Sequence, residues 1–218
     1  MAKWSGNNLE GVRREYDLDH LDDGELPADP LVLFTAWMED ATKSGNPDPT
    51  AMTLSTVDAT GSPSSRIVLL KKIDKGRLVF FTNYHSRKAR EIKMLTKVAT
   101  HHYWPELERQ VRIAGTATPL EQAGSDLYFS SRPFESKVTA WASPQSEVVP
   151  DRSYLEREYQ KYLERFKKIK DVPRPAYWGG FSIEPSRIEF WQGGKHRLHD
   201  RMEYTLKDEQ WSRVRLAP

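Results

Sequence analysis

The sequence predicts a mainly β protein of the α+β class, an antiparallel barrel with helices on its periphery. Three observations carry that expectation. Apolar residues change from a helical to a two-residue period after residue 50. The strand-like runs that follow are joined by short turns, and the helical segments are inserted between groups of strands instead of alternating with them, which argues against a parallel sheet.

Residues 1–28 are polar, carry the acidic run DHLDDGE and show no sustained periodicity, so they read as a mobile N-terminal arm ahead of a single domain over 29–218. Asp29-Pro30 opens a helix: an acceptor side chain precedes a ring already near helical φ, and Leu31, Phe34, Trp37, Met38 and Ala41 recur at helical spacing until Gly45. AMTLSTVD, SSRIVLLKKI and RLVFFTNY, separated by DATGSP and DKG, read as a three-strand antiparallel meander. SRKAREIKML reads as a short helix capped by Ser86, with Ile92 and Leu95 on one face. Two strands follow, VATHHYW and RQVRIAGTAT, then a helical segment in EQAGSDLYFSSRP. A second helix in SYLEREYQKYLERFKKIK places Leu155, Tyr159, Tyr162, Phe166 and Ile169 on one stripe. PRPAYWGGFSIEPSRIEFWQGG and RLHDRMEYTLKDEQWSRVRL are expected to close the chain as two hairpins.

Composition excludes several classes. The 33 basic and 31 acidic residues leave a net charge of +2, so no overall field favours nucleic acid or an anionic membrane. Without cysteine there is no disulfide framework, thiolate nucleophile or Cys-based zinc site. The N-terminal stretch lacks an apolar signal region and no apolar run approaches the ~20 residues of a membrane span, so a cytoplasmic protein is expected. An apolar fraction of 38% is low for a self-sufficient monomer, whereas seven Trp, nine Tyr and eight Phe would suit an oligomer that shares aromatic surface. The glycine signatures of Rossmann and P-loop proteins, GxSxG and HExxH are all missing.

The remaining chemistry is cationic. Arg66 opens RIVLLKK and Lys71 follows it, while Ser86-Arg87-Lys88 stands at a helix start, where free N–H groups and the dipole attract phosphate; two anion sites are implied. YFSSRPFES could gather Tyr128, Arg132 and Ser136 about a third phosphate position. Each also has a plain reading: a solvated strand face, an ordinary cap, a solvated helix end, and for Trp191 a core or interface aromatic. EFWQGGKHRLHDR crowds Trp191, Lys195, His196, Arg197, His199, Asp200 and Arg201 behind a Gly-Gly pair. If that stretch is a strand, His196 and His199 point to opposite faces and do not share a metal, so none is expected.

RIVLLK, FFTN, SRK, ERQVRI, YFSSRP, the QS of SPQSE, WGG, EFWQGG, RLHDR and the terminal RLAP, in this order and spacing, resemble pyridoxine 5′-phosphate oxidases from RREY to the last residue. The resemblance implies an FMN-binding split β-barrel, a homodimer with shared active sites. It also implies oxidation of pyridoxine or pyridoxamine 5′-phosphate to pyridoxal 5′-phosphate, with O2 as acceptor and H2O2 as co-product. FMN would be held by Arg66, Ile67, Val68, Leu69, Leu70, Lys71, Phe81, Thr82, Arg87, Lys88 and Gln110, with Gln145, Ser146, Trp191 and Arg201 also contributing, some from the partner. Substrate phosphate would meet Lys71, Tyr128, Arg132 and Ser136; Arg197 and His199 would be catalytic, at the pyridine ring; Arg13 and Tyr16 would close over the site. Lys137 and Thr139 stand where the family pattern has Gln and Gly, and Glu147 where a second Ser is usual. Two other classes use overlapping residues: a split-barrel reductase of another substrate, against which RLHDR and YFSSRP argue, and a non-catalytic carrier of FMN or pyridoxal phosphate.

Overall fold

A computed structural model describes residues 14–218; Arg13, expected over the site, lies outside them. In chain order the elements are α1 (Pro30–Lys43), β1 (Ala51–Val57), β2 (Pro63–Leu69), β3 (Lys72–Asp74), β4 (Arg77–Asn83), α2 (Arg87–Met94), β5 (Lys97–Trp104), β6 (Arg109–Pro119), α3 (Gln122–Ser130), α4 (Phe134–Ala142), α5 (Arg152–Phe166), β7 (Trp178–Gln192), a 3-10 turn at Lys195–Arg197, β8 (Asp200–Lys207) and β9 (Gln210–Arg215). The expected class holds: the described strand ladders are antiparallel, and the helices are insertions. Where one domain was expected over 29–218, contacts divide the described chain into two compact units. The larger comprises Thr50–Thr100 and Ile113–Ser186; the smaller comprises residues 14–49, His101–Arg112 and Arg187–Pro218. Among the described residues no helix is long and apolar enough to cross a membrane.

In the larger unit the strand order is β2-β1-β5-β6-β7-β4-β3. The expected meander is therefore corrected: β1 and β2 form a hairpin, but β4 lies near the other end of the path, paired with β3 and β7. The run SSRIVLLKKI is not one strand, because its hydrogen bonding changes sides in mid-run. Leu70 N–H donates to Thr50 O at 2.9 Å, whereas Lys71 N–H donates to Val79 O at 2.8 Å. Alternating burial on β1 sends Met52, Leu54 and Thr56 inward, and Phe80 stacks on Phe181 at 5.7 Å within the core. β6 and β7 approach so closely at Gly115 that a Cβ there would lie 2.3 Å from Glu184 O.

β7 corrects the first of the two expected hairpins. Residues 178–192 form one strand through Glu184-Pro185-Ser186, a tripeptide that reads as a turn. The β4 ladder ends at Ile183 and the β8 ladder begins at Arg187, so Pro185 falls where neither needs its missing N–H. Helix α4 was not anticipated, and Val138 on it joins Phe166 and Val172 in a separate core cluster. Leu95 and Ile169, expected on apolar helix faces, lie beyond the last residues of α2 and α5 and are exposed.

In the smaller unit α1 begins as expected: Asp29 Oδ1 accepts from Leu31 N at 2.9 Å, and Phe34, Trp37 and Ala41 are buried. Trp37 packs edge-on against Phe190 at 5.2 Å and carries the Arg109 guanidinium on its face at 4.6 Å. β8 and β9 form the expected closing hairpin, turning at Asp208 and Glu209, both with positive φ. Residues 14–28 contain no helix or strand, yet Leu21 and Leu26 are buried, and Arg213 and Arg215 bond the carbonyls of Leu26, Asp23 and Leu21.

His102 in β5 is fully buried beside Phe34 and Trp104, and neither ring nitrogen has a partner among the described residues. Burial, with a smaller push from His101, lowers its pKa to about 3. The unfolded chain therefore binds a proton below about pH 6.5 that the native state refuses. Stability from this site is present above the unfolded pKa and is lost as pH falls, by up to about 1.4 kcal/mol per pH unit. Urea midpoints measured from pH 7 to pH 4 should fall more steeply for the natural protein than for His102→Phe; parallel curves would contradict this.

Candidate functional site

A cleft of about 650 Å³ opens in the larger unit between β2, β4, the start of α2, the end of α3, α4 and the segment at Gln145. β2 alternates exposed with half-buried residues, and Ser64, Arg66 and Val68 occupy the half-buried positions. Because β2 ends the strand path, its outer edge carries main-chain N–H and C=O groups outside the β1 ladder, beside the side chains of this cleft.

Arg66 is held from several sides. Its guanidinium donates to Leu54 O at 2.9 Å, Thr56 Oγ1 at 2.6 Å and Ser64 Oγ at 2.5 Å, and lies 3.4 Å from Glu91 Oε2. Glu91, buried on α2, also accepts from Thr56, from Ser64 at 2.6 Å and from Arg87 Nε at 2.8 Å. Burial opposes its charge, but the bonds from Ser64, Thr56 and Arg87 and the field of Arg66 outweigh that and bring the carboxyl down to about 2. Lys88 is buried too, its Nζ donating to Thr82 Oγ1 at 3.1 Å, Ser86 Oγ at 3.2 Å and Gln145 Oε1 at 3.0 Å. Burial and the neighbouring Arg66 lower its pKa to about 8, against the pull of Glu91. Ser86 precedes α2 as expected but does not cap it: its hydroxyl donates to Asn83 O at 2.7 Å. The cap side chain leaves the first-turn N–H groups to other acceptors. Arg66, Arg87 and Lys88 thus line the cleft with one buried carboxylate behind them, a net positive surface beside a helix start.

An aromatic wall continues the lining. Phe81 stacks on Tyr128 at 3.9 Å and on Trp178 at 5.5 Å, and the Arg132 guanidinium lies 4.6 Å over Trp178. Arg132 Nη1 is buried and has no hydrogen-bond partner among the described residues. Burial lowers the pKa of Arg132 and raises that of Tyr128.

Of the residues expected at the site, this cleft gathers Arg66, Ile67, Val68, Leu69, Lys71, Phe81, Thr82, Arg87, Lys88, Tyr128, Arg132, Gln145 and Ser146. Leu70 instead turns into the core, and Ser136, half-buried on α4, is not part of the lining. Among the three departures from the family pattern, Thr139 alone lines the cleft. Lys137 donates to Ser130 O, and Glu147 pairs with Arg90 at 2.7 Å. Glu91, Asn83 and Trp178 escaped sequence reading; the one signal for Glu91 was its place four residues after Arg87 on a short helix.

Gln110, Tyr16, Trp191, Arg197, His199 and Arg201 belong to the smaller unit. There Tyr16, Trp191 and His199 form a cluster with ring centroids 4.7 to 5.6 Å apart. The stretch from His196 to His199 is not the expected strand: Lys195–Arg197 form a 3-10 turn with positive φ at His196 and Arg197, whose side chains are exposed, and His199 follows it half-buried. His199 Nδ1 accepts from Gly194 N at 3.1 Å, so the neutral ring carries its proton on Nε2. Burial and then Arg197 lower the pKa of His199, favouring that neutral form. Arg201 donates to Glu189 Oε1 at 3.0 Å and Ala217 O at 2.8 Å, and Gln110 Oε1 lies 2.7 Å from His101 Nε2.

Comparison with known proteins identifies the family. Residues 38–166 match the family model described as pyridoxamine 5′-phosphate oxidase, and residues 178–218 match the pyridoxine 5′-phosphate oxidase C-terminal dimerisation region. A pyridoxine/pyridoxamine 5′-phosphate oxidase of Shewanella sediminis is 48% identical over 213 residues, covering 97% of this chain and all of that protein. One from Rubrobacter xylanophilus is 46% identical over the full length of both. Among solved structures, PhzG of Burkholderia lata, in complex with tetrahydrophenazine-1-carboxylic acid, superimposes with a TM-score of 0.86 at 30% identity, covering 92% of this chain and 99% of that one. A pyridoxamine 5′-phosphate oxidase-related, FMN-binding protein of Nostoc punctiforme shares the fold at 17% identity, with a TM-score of 0.70 over 88% of this chain and all of that one. By the family model, the full-length relatives and the cationic cleft, this chain belongs to the pyridoxamine 5′-phosphate oxidase family.

Proposed function

We propose that this protein oxidises pyridoxine 5′-phosphate and pyridoxamine 5′-phosphate to pyridoxal 5′-phosphate, with FMN as cofactor and O2 as final acceptor, as a cytoplasmic homodimer with shared active sites. The observation that carries this reading is the pairing, in one cleft, of two separate cationic positions: Arg66, Arg87 and Lys88 by a helix start, and Arg132 on the aromatic wall, whose Nη1 has no partner among the described residues. A phosphorylated flavin and a phosphorylated substrate would each need one.

The residues fit the flavin. A volume near 650 Å³ lies within the roughly 300–1,000 Å³ of small-molecule pockets. Three cations suit the phosphate, and the main chain of Ile67–Leu69 offers alternating donors and acceptors to the polar edge of a planar ring. FMN, when bound, would supply the two-electron acceptor that O2 reoxidises.

The chain's own residues bind and orient. Arg132 and Lys71 would take the substrate phosphate. His199, neutral and protonated on Nε2, would donate to the phenolic oxygen of the pyridine, and the planar Arg197 would lie against its ring. The alcohol gives up two electrons and two protons in becoming the aldehyde. Its hydroxyl proton would leave to water, since the Arg197 guanidinium has no site to accept it and His199 commits Nε2–H to the phenolic oxygen and Nδ1 to Gly194 N–H. Dimerisation is supported by the C-terminal match, and the resemblance assigns the two sets of residues to one centre that two subunits share. PhzG favours a second reading, an oxidase of a substrate without phosphate, since the ligand named with it carries a carboxylate instead. The distinguishing assay is oxygen consumption by the yellow holoenzyme with pyridoxine 5′-phosphate and with pyridoxine. Turnover of both at equal kcat/KM would overturn the phosphate reading.

Two outcomes are expected within that assay. Arg132→Ala should raise KM with little change in kcat, because the phosphate is the same in ground and transition states. Arg197→Ala should lower kcat by about 10²-fold, and Arg197→Lys should recover little of it, as misplacing C4′ slows the chemical step itself. Anaerobic flavin bleaching at the natural rate in Arg197→Ala but not in Arg132→Ala would reverse the two roles.

Lys88 sets a pH dependence. Its free pKa of about 8 should rise when a phosphate dianion binds, so binding takes up a proton above that value. FMN affinity should be level between about pH 7 and pH 8, then weaken by up to tenfold per pH unit. Lys88→Arg stays charged throughout and should abolish the slope. Fluorescence titrations from pH 7 to pH 9 that keep the slope in the variant would exclude Lys88 as its source.

A further inference from the structure

We propose that Glu108 is a positioning residue for the active site, a buried latch that holds residues 14–18 in place and so sets Tyr16 against Trp191 and His199. The proposal rests on the oxidase reading only for what Tyr16 acts on.

Glu108 lies in the tight turn between β5 and β6, where Leu107 N–H bonds Trp104 O and Glu108 N–H bonds Pro105 O. Its φ of +53 is left-handed, a conformation in which glycine or asparagine would sit with less strain, yet a glutamate occupies it and is only 3% exposed. A carboxylate removed from water needs donors, and residues 14–18 supply them. Arg14 donates to Oε1 at 2.7 Å, and the main-chain N–H groups of Asp17 and Leu18 donate to Oε2 at 2.8 and 3.1 Å. Those two amides directly follow Tyr16 and fix the direction in which its side chain leaves the backbone.

The same residue grips the other side of the cluster. Its carbonyl accepts from Gly193 N at 2.8 Å and from Gln192 Nε2 at 3.3 Å. Glu108 therefore ties the segment bearing Tyr16 and the segment following Trp191 to one turn. The fit between them is close: a Cβ on Gly193 would lie 2.7 Å from Tyr16 Cβ. Tyr16 then meets Trp191 edge-on at 5.6 Å and His199 at 5.5 Å. Lys195 pairs with Asp17 at 2.7 Å, and the side chain of Arg109 reaches both Asp19 and Gln192, so the neighbouring contacts reinforce the placement without touching Tyr16.

The test uses full-length holoenzyme. Glu108→Gln keeps the shape and the backbone carbonyl but loses the charge. It should raise KM for pyridoxine 5′-phosphate about tenfold with kcat within about twofold, and should speed tryptic cleavage after Arg14 about tenfold by releasing that side chain. In a double-mutant cycle, Glu108→Gln should add nothing to the KM of Tyr16→Ala, because the latch acts through Tyr16. Arg14→Met, which removes the donor to Glu108 Oε1 together with a bond to Pro105 O of the turn and a cation over the Tyr16 ring, should raise KM in the same direction. Natural KM and natural cleavage rate in Glu108→Gln would overturn the proposal. So would additive effects in the cycle, or a parallel fall of kcat and Tm that marks a purely structural residue. If the natural enzyme turns over no pyridoxine 5′-phosphate, the oxidase reading fails, and the cleavage rate alone decides whether residues 14–18 are latched.

Discussion

The amide of Leu70 bonds Thr50 O, just before β1, and that of Lys71 bonds Val79 O in β4, near the other end of the sheet path, and the cleft depends on that change of side. Had the run continued along β1, Arg66 and Lys71 would belong to one uninterrupted hairpin arm, and β4 would follow as its neighbour. Instead, the chain leaves β2 after Leu69 and pairs its next residues with β4. β2 is thereby kept as a terminal strand with a free main-chain edge, and Phe81 and Thr82 of β4 line the same cleft as Arg66–Leu69. A planar, polar-edged ligand can use both.

Electrostatics completes what the topology starts. Arg66, Arg87 and Lys88 in one cleft repel one another, and two of the three are substantially buried. Glu91 offsets that repulsion from behind and is itself kept ionised by four donors. The arrangement leaves the cations oriented before any anion arrives, so little side-chain freedom remains to be lost on binding. Arg132 differs: it leans on Trp178 for support, and one of its nitrogens has no partner among the described residues. A guanidinium can do this because its flat face needs no hydrogen bonds, whereas the compact ammonium of Lys88 needs its ring of oxygens.

Much of this was legible in the residues. Helical and alternating periods located most elements, Asp29-Pro30 marked the start of α1, and thirteen of the residues implied by family resemblance line one cleft. What local pattern could not convey was partner choice. SSRIVLLKKI alternates as a continuous strand would, and only the tertiary bonds of Leu70 and Lys71 divide it. Glu184-Pro185-Ser186 has turn composition, but a proline is tolerated wherever a strand hands over from one neighbour to the next. Glu91 and Glu108 were invisible for a related reason. Each looks like an ordinary surface glutamate until distant segments bring donors to it, because burial of a charge is a property of the fold and not of its neighbours in sequence.

The turn at Lys195–Arg197 shows strain kept where chemistry is proposed. His196 and Arg197 both have positive φ, at 55° and 63°, and neither is glycine. Left-handed backbone costs an ordinary residue roughly 1–2 kcal/mol, and two in succession are correspondingly harder to hold. The turn is held by Leu198 N–H on Lys195 O, by Gly194 N–H on His199 Nδ1, and by the pairing of Lys195 with Asp17. Glycine at either position would relieve the backbone and leave all three contacts available. That the chain carries histidine and arginine there instead argues that the side chains are what the strained turn is for, and Arg197, standing exposed two residues before His199, is the one whose planar cation a pyridine ring could use.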